Sequence, residues 1–121
     1  MTMEKDTRTV IVSKNYTILY TIASFQVNHD RVALIEDNNK IIGLVSQGDI
    51  LKEISRGVHL LSRIESIMNR NFRYLTTRDM DKAYPLFRKH KLTMIPVLSE
   101  EGELLNIITL DDIYDYLEGK K

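Results

Sequence analysis

Cysteine is absent from the 121 residues, which excludes disulfides and thiol chemistry and makes a cytoplasmic setting the expectation. Histidine is scarce. His29, His59 and His90 do not cluster, so neither a structural zinc site nor another metal is expected. An excess of one charge is lacking too. Seventeen Lys and Arg balance seventeen Asp and Glu, which argues against a nucleic-acid or anionic-membrane surface. No apolar run approaches the ~18–20 residues of a membrane span. The charged opening at 1–8 does not resemble a signal peptide and is expected to be loose. Apolar residues make up 43% of the chain, the composition of a compact globular domain with a core.

One stretch organises the rest. Gly43-Leu44-Val45-Ser46-Gln47-Gly48-Asp49 returns 63 residues later as Asn106-Ile107-Ile108-Thr109-Leu110-Asp111-Asp112. In each copy an apolar run ends in a hydroxyl residue, a carboxylate follows three places on, and an amphipathic segment opens. At that offset 32–54 aligns with 95–117 without a gap. Val32, Leu34, Ile35, Ile41 and Ile42 meet Ile95, Val97, Leu98, Leu104 and Leu105. Chance rarely gives such a match over 23 positions, so the chain carries an internal duplication.

Each copy reads as strand, helix, strand, strand, helix. Thr9–Val12 is β-branched throughout and predicts a short strand. Asn15 or Thr17 caps a helix whose apolar face is Ile18, Ile22 and Phe25. Val32–Ile35 and Ile41–Val45 read as buried strands around the turn residues Asp37-Asn38-Asn39, close enough for an antiparallel hairpin. The helix after Ser46 ends near Gly57, a C-cap. Leu60, Ile64, Ile67 and Met68 form an apolar stripe on a predicted connecting helix. The second copy follows: a strand at 72–75, a helix faced by Met80, Ala83, Tyr84 and Phe87, strands at 94–98 and 104–109, and a helix from about 110 to 117. Pro85 falls inside a predicted helix and should kink or shorten it.

Ser46-Gln47-Gly48-Asp49 falls at a strand-to-helix turn. Orphan N–H groups and the helix dipole favour an anion there. A Ser hydroxyl donates to a phosphate oxygen, Gly48 lets a ligand approach the backbone, and Asp49 accepts from a ribose diol. Thr109 and Asp112 are placed to do the same. The same spacing also makes a capping box, which needs no ligand. Arg31, just before the second strand, reads by itself as a solvated charge. Val12 and Leu75, at the first strand of each copy, either wall an adenine pocket or belong to ordinary core. No catalytic constellation is visible: the carboxylates near the motifs lack a partnered base.

The duplication, the element order and a strand ending in Gly-x-x-Ser/Thr-x-x-Asp resemble the cystathionine-β-synthase (CBS) domain pair, or Bateman module. The resemblance covers roughly 9–117, and Ile95-Pro96-Val97 matches the family's second-strand signature. Val32-Ala33-Leu34 departs from that signature, and Asn106 stands where the family has the glycine seen at Gly43. The resemblance implies an α+β fold of tandem β-α-β-β-α repeats with pseudo-twofold symmetry. Residues 1–121 would be one module, with repeat 1 at 9–58 and a linker helix plus repeat 2 at 59–121. It also implies a cleft between the repeats for an adenine nucleotide (AMP, ADP or ATP) or S-adenosylmethionine, a phosphate contact at Arg31, and a regulated partner domain. Ile42 to Ile50, with Arg56-Gly57-Val58 and Ile67-Met68-Asn69-Arg70-Asn71, looks like the pair that precedes some bacterial sugar-nucleotidyltransferases. Such a transferase is therefore the implied partner domain.

The expectation is a regulatory module, not an enzyme, with Ser46, Gly48, Asp49, Arg31, Val12, Thr109, Asp112 and Leu75 as ligand-binding residues. A ligand would act by shifting the population of arrangements. The alternative is a structural dimerisation module with degenerate clefts. Apolar helix residues Ile50, Ile54, Leu61, Ile113, Tyr114 and Leu117 are expected to remain exposed and to form a homodimer. The two clefts should be unequal. Asp111 stands beside Asp112 where Gly48 stands beside Asp49, so polyphosphate nucleotides should prefer the copy with Ser46.

Overall fold

The computed structural model describes residues 10–28 and 31–119; the expected loose opening, Thr9 and His29 lie outside them. The order is β1 (Val10–Ser13), α1 (Ile18–Asn28), β2 (Val32–Asp37), β3 (Lys40–Ser46), α2 (Gln47–Ser55), a single 3-10 turn (Ile64–Ser66), α3 (Met80–His90), β4 (Met94–Leu98), β5 (Leu104–Thr109) and α4 (Leu110–Glu118). This is a mixed α+β fold with two small sheets. The described residues part into two compact units between Phe72 and Arg73.

In the first unit β2 lies between β1, which runs parallel to it, and β3, which runs antiparallel. The crossover is α1. Thr17 caps it as expected, its Oγ1 accepting from Tyr20 N–H at 3.0 Å. Ile18 and Phe25 bury their side chains against Val12, Ala33, Ile35 and Val45. The β2–β3 hairpin turns on Asn38 and Asn39, with φ of 52° and 66°. Both are left-handed, the requirement of the two-residue turn that matches strand twist. At the end of α2, Gly57 (φ 97°) donates to Ile54 O at 2.9 Å and Val58 N–H to Glu53 O at 3.1 Å. This paired closure is the Schellman motif and requires the left-handed glycine.

The predicted connecting helix does not form; its stretch holds only the 3-10 turn. The backbone there is committed elsewhere. Ile18 N–H donates to Ser62 O and Leu19 N–H to Leu60 O, satisfying orphan donors of α1, while Ile64 N–H donates to Tyr16 O. The apolar stripe is real all the same, since Ile64 and Met68 are buried in the first core. The chain then reaches the free edge of β3. Leu44 and Asn69 exchange both backbone hydrogen bonds, at 3.0 and 2.8 Å. Gly43 permits this approach. A Cβ there would lie 2.3 Å from Met68 Sδ, far inside van der Waals contact.

The second unit pairs β4 with β5, antiparallel. Both hairpins are antiparallel, as the sequence predicts. The strand expected at 72–75 is reduced to one bridge, Leu75 to Val97, in which Leu75 N–H donates to Pro96 O and Leu98 N–H to Leu75 O. Extending a parallel ladder back by two residues would require the N–H of residue 96, and proline has none. In the first unit the matching residue is Leu34, and the ladder runs back to Val10. Helix α3 starts at an Asp79 cap and buries Ala83 and Phe87. Pro85 neither stops nor shortens it: the helix runs on to His90, with Pro85 on the exposed side.

Two further expectations need correction. The duplication is not gapless. Ala33 pairs with Val45 and Ile95 with Ile108, so β2 and β4 correspond at an offset one shorter than β3 and β5 do. Ile95-Pro96-Val97 therefore matches Ala33-Leu34-Ile35, and the extra residue lies in the second hairpin loop. A one-residue slip would turn every side chain to the wrong face; the true register puts Ala33, Ile35, Ile95 and Val97 in their cores. Secondly, Ile50 and Ile113 are not exposed. They are 1% and 2% accessible, core residues of the two units. Ile54 and Leu117 are half-buried, and only Leu61 and Tyr114 of the expected set are exposed.

Candidate functional site

Each unit has one strand-to-helix turn built from the duplicated stretch. Each turn is closed by a capping box. Asp49 N–H donates to Ser46 Oγ at 3.0 Å, and Ser46 N–H to Asp49 Oδ2 at 3.4 Å. Asp112 N–H donates to Thr109 Oγ1 at 3.3 Å, and Thr109 N–H to Asp112 Oδ2 at 2.8 Å. Capping by Asp at the third helical position is thus made in both copies, as the spacing allows.

The first helical N–H groups are not all orphans. Gln47 N–H donates to Arg31 O at 2.8 Å, and Leu110 N–H to Thr93 O at 3.2 Å. The strand-to-helix turn is thereby sewn to the residue before β2 or β4. This identifies Thr93 as the counterpart of Arg31. At the start of α2 the Gly48 N–H has no partner among the described residues. Gly48 and Asp49 are both exposed.

Ser46, Gly48, Asp49 and Arg31 are thus gathered at one end of the first sheet. The Arg31 side chain is exposed and makes no ion pair among the described residues. Val12 is 1% accessible and turned into the core, so it offers a ligand only its backbone. In the second unit Thr109 and Asp112 share a turn. Leu75 is half-buried against that unit's core and bridges β4 three residues from Met94, the partner of Thr109.

The second turn holds a residue the sequence did not single out. Arg78 Nη2 lies 3.2 Å from Asp112 Oδ2. Nothing in the duplicated motif marks Arg78, because the pair joins the segment before α3 to α4. The expected comparison of the two turns counted only the carboxylates and left out this guanidinium beside Asp112. In the same unit, His90 titrates below the ordinary histidine value, through desolvation first and then the charges of Arg73 and Lys89. Among the described residues no group of three His, Asp or Glu is placed to hold a metal, and no helix is long and apolar enough to cross a membrane.

The chain is similar to known proteins. The magnesium transporter MgtE of Thermus thermophilus is 29% identical over 90 residues, which are 74% of this chain and 19% of that protein. Homoserine O-acetyltransferase of Methanobrevibacter ruminantium is 29% identical over 89 residues, 73% of this chain and 17% of that protein. The chain thus spans under a fifth of these relatives. Among solved structures, a CBS domain protein from Pyrobaculum aerophilum complexed with AMP superposes with a TM-score of 0.77 at 21% identity, covering 92% of either chain. The CBS domain pair of protein MJ0100, in complex with 5′-methylthioadenosine and S-adenosyl-L-methionine, gives a TM-score of 0.77 at 23% identity, covering 93% of this chain and 90% of that one. The family model for the CBS domain matches twice, at residues 5–56 and 64–119. The chain belongs to the CBS domain family and carries two copies of the domain in tandem.

Proposed function

We propose that this CBS pair is a non-catalytic regulatory module that senses an adenine-containing ligand. AMP, ADP, ATP and S-adenosylmethionine are the ligand class, and the turn of Ser46, Gly48 and Asp49 with Arg31 is the principal site. Thr109, Asp112 and Leu75 form the lesser one. The observation that carries this reading is the state of Asp49. It is an exposed carboxylate at a helix start, with a free Gly48 N–H beside it and no cation paired to it among the described residues. Such a group is available to a ribose diol, while the adjacent N–H and Arg31 suit a phosphate. The AMP and S-adenosylmethionine complexes of the two structural relatives support the same ligand class. The ligand would shift the module between arrangements and so control a partner catalytic domain; a sugar-nucleotidyltransferase is the partner the sequence suggests.

Thermal unfolding with AMP, ADP, ATP and S-adenosylmethionine tests this. A ligand at ~100 times its dissociation constant adds ~2.7 kcal/mol of stability. Asp49→Ala should weaken the best ligand ten- to a hundredfold, the effect of losing a charge-assisted hydrogen bond worth ~1.5–3 kcal/mol. A second reading is a structural dimerisation module without ligand. Both hydroxyl–carboxylate pairs already satisfy one another as caps, which favours it. No stabilisation by any of the four compounds would decide for that reading.

A further inference from the structure

We propose that Arg78 is the residue that makes the two turns unequal, closing the second to a ribose that the first admits. This rests on the nucleotide reading above. Asp112 Oδ2 accepts two hydrogen bonds, from Thr109 N–H at 2.8 Å and the Thr109 hydroxyl at 3.1 Å, and lies 3.2 Å from Arg78 Nη2 as an ion pair. An ionised carboxylate offers about two acceptor directions per oxygen, so that oxygen is saturated. Asp49 Oδ2 receives only Ser46 N–H, at 3.4 Å, and no cation among the described residues. Counted from the helix caps Thr17 and Asp79, the position corresponding to Arg78 in the first copy is Tyr16, which is exposed and carries no charge. A vicinal diol held by a carboxylate uses both of its oxygens. In the second copy it must first displace Arg78.

The sign of the effect separates this role from its opposite. If Arg78 served to bind phosphate, removing it would weaken every phosphate-bearing ligand. If it blocks the diol, removing it tightens a nucleoside that has no phosphate. Adenosine is therefore the probe. Titration calorimetry on the full chain would first compare the wild type with Asp49→Ala, which silences the first turn. Arg78→Gln is then added to Asp49→Ala. Arg78 is exposed, so folding is preserved, and the paired side chains are 41% and 27% accessible. Opening an exposed pair of this kind is worth up to roughly a fivefold change in affinity, and Arg78→Gln should tighten adenosine by about that factor. Raising the salt concentration should tighten adenosine in the Arg78 protein and leave the Gln variant unmoved, because salt screens the pair. Unchanged, weaker or undetectable binding on adding Arg78→Gln overturns the inference. If the wild type binds neither adenosine nor any of AMP, ADP, ATP and S-adenosylmethionine, the nucleotide reading falls and takes this inference with it.

Discussion

Gly43 and Asn106 occupy the same position in the two copies and do opposite work. Gly43 leaves room for Met68, whose Sδ would lie 2.3 Å from any Cβ, and so lets Asn69 bond Leu44 at the edge of β3. Asn106 stands on the equivalent edge of β5. Its Oδ1 accepts from Ile107 N–H at 2.8 Å, the counterpart of the Leu44 N–H. One copy closes its edge with the backbone of Asn69, the other with a side chain, a device that blunts an exposed edge. Gly43→Ala should cost ~1–3 kcal/mol, the usual range for overpacking a tight contact. Asn106→Ala should cost about 1 kcal/mol for the lost hydrogen bond. Urea denaturation of the two variants checks both figures, and equal small losses would refute the steric account of Gly43. The sequence displayed the substitution plainly but not its reason. The group that forbids a Cβ at 43 lies in a segment whose path periodicity cannot trace.

At the scale of elements, the legible parts were those with local causes. The cap of α1 at Thr17, the left-handed glycine after α2 and the cap-to-carboxylate spacing of both turns are written within a few residues. Elements decided by distant partners were misread. The stripe at 60–68 has helical spacing, yet its backbone is used to complete the first turn of α1. The strand at 72–75 has strand composition, yet Pro96 denies it a ladder. The hairpin loops hid the one-residue length difference because apolar residues on both sides tolerate either alignment. The shorter loop makes its own prediction. Asn39 sits at φ 66° in the second central position of its turn, where glycine is favoured. Asn39→Gly should be neutral or stabilising by a few tenths of a kcal/mol, and Asn39→Val destabilising by ~1–2 kcal/mol through left-handed strain. Thermal melts giving the reverse order would show the turn to be of another type.

For the whole molecule, the burial of Ile50 and Ile113 narrows the proposed homodimer surface. Leu51 and Tyr114, at matching positions of α2 and α4, are 60% and 56% accessible. They are the apolar groups those helices have left to offer. If the homodimer forms through them, Leu51→Lys with Tyr114→Lys should halve the mass seen by light scattering and leave the fold, read by circular dichroism, intact. A wild-type mass of one 14.1 kDa chain at high micromolar concentration would remove the premise. The return of Asn69 to β3 has a consequence for how such proteins can be taken apart and recombined. The stretch from Val58 to Phe72 precedes the second copy in sequence but completes the first in space. A chimera joined at the motif boundary near Gly57 would give that stretch to the wrong parent. Its Met68 would then meet a foreign residue in place of Gly43, and a β3 edge would face a stranger's backbone. A crossover after Phe72 keeps each half with the residues that fill it, so the exchangeable cassette is longer at its trailing end than the repeat.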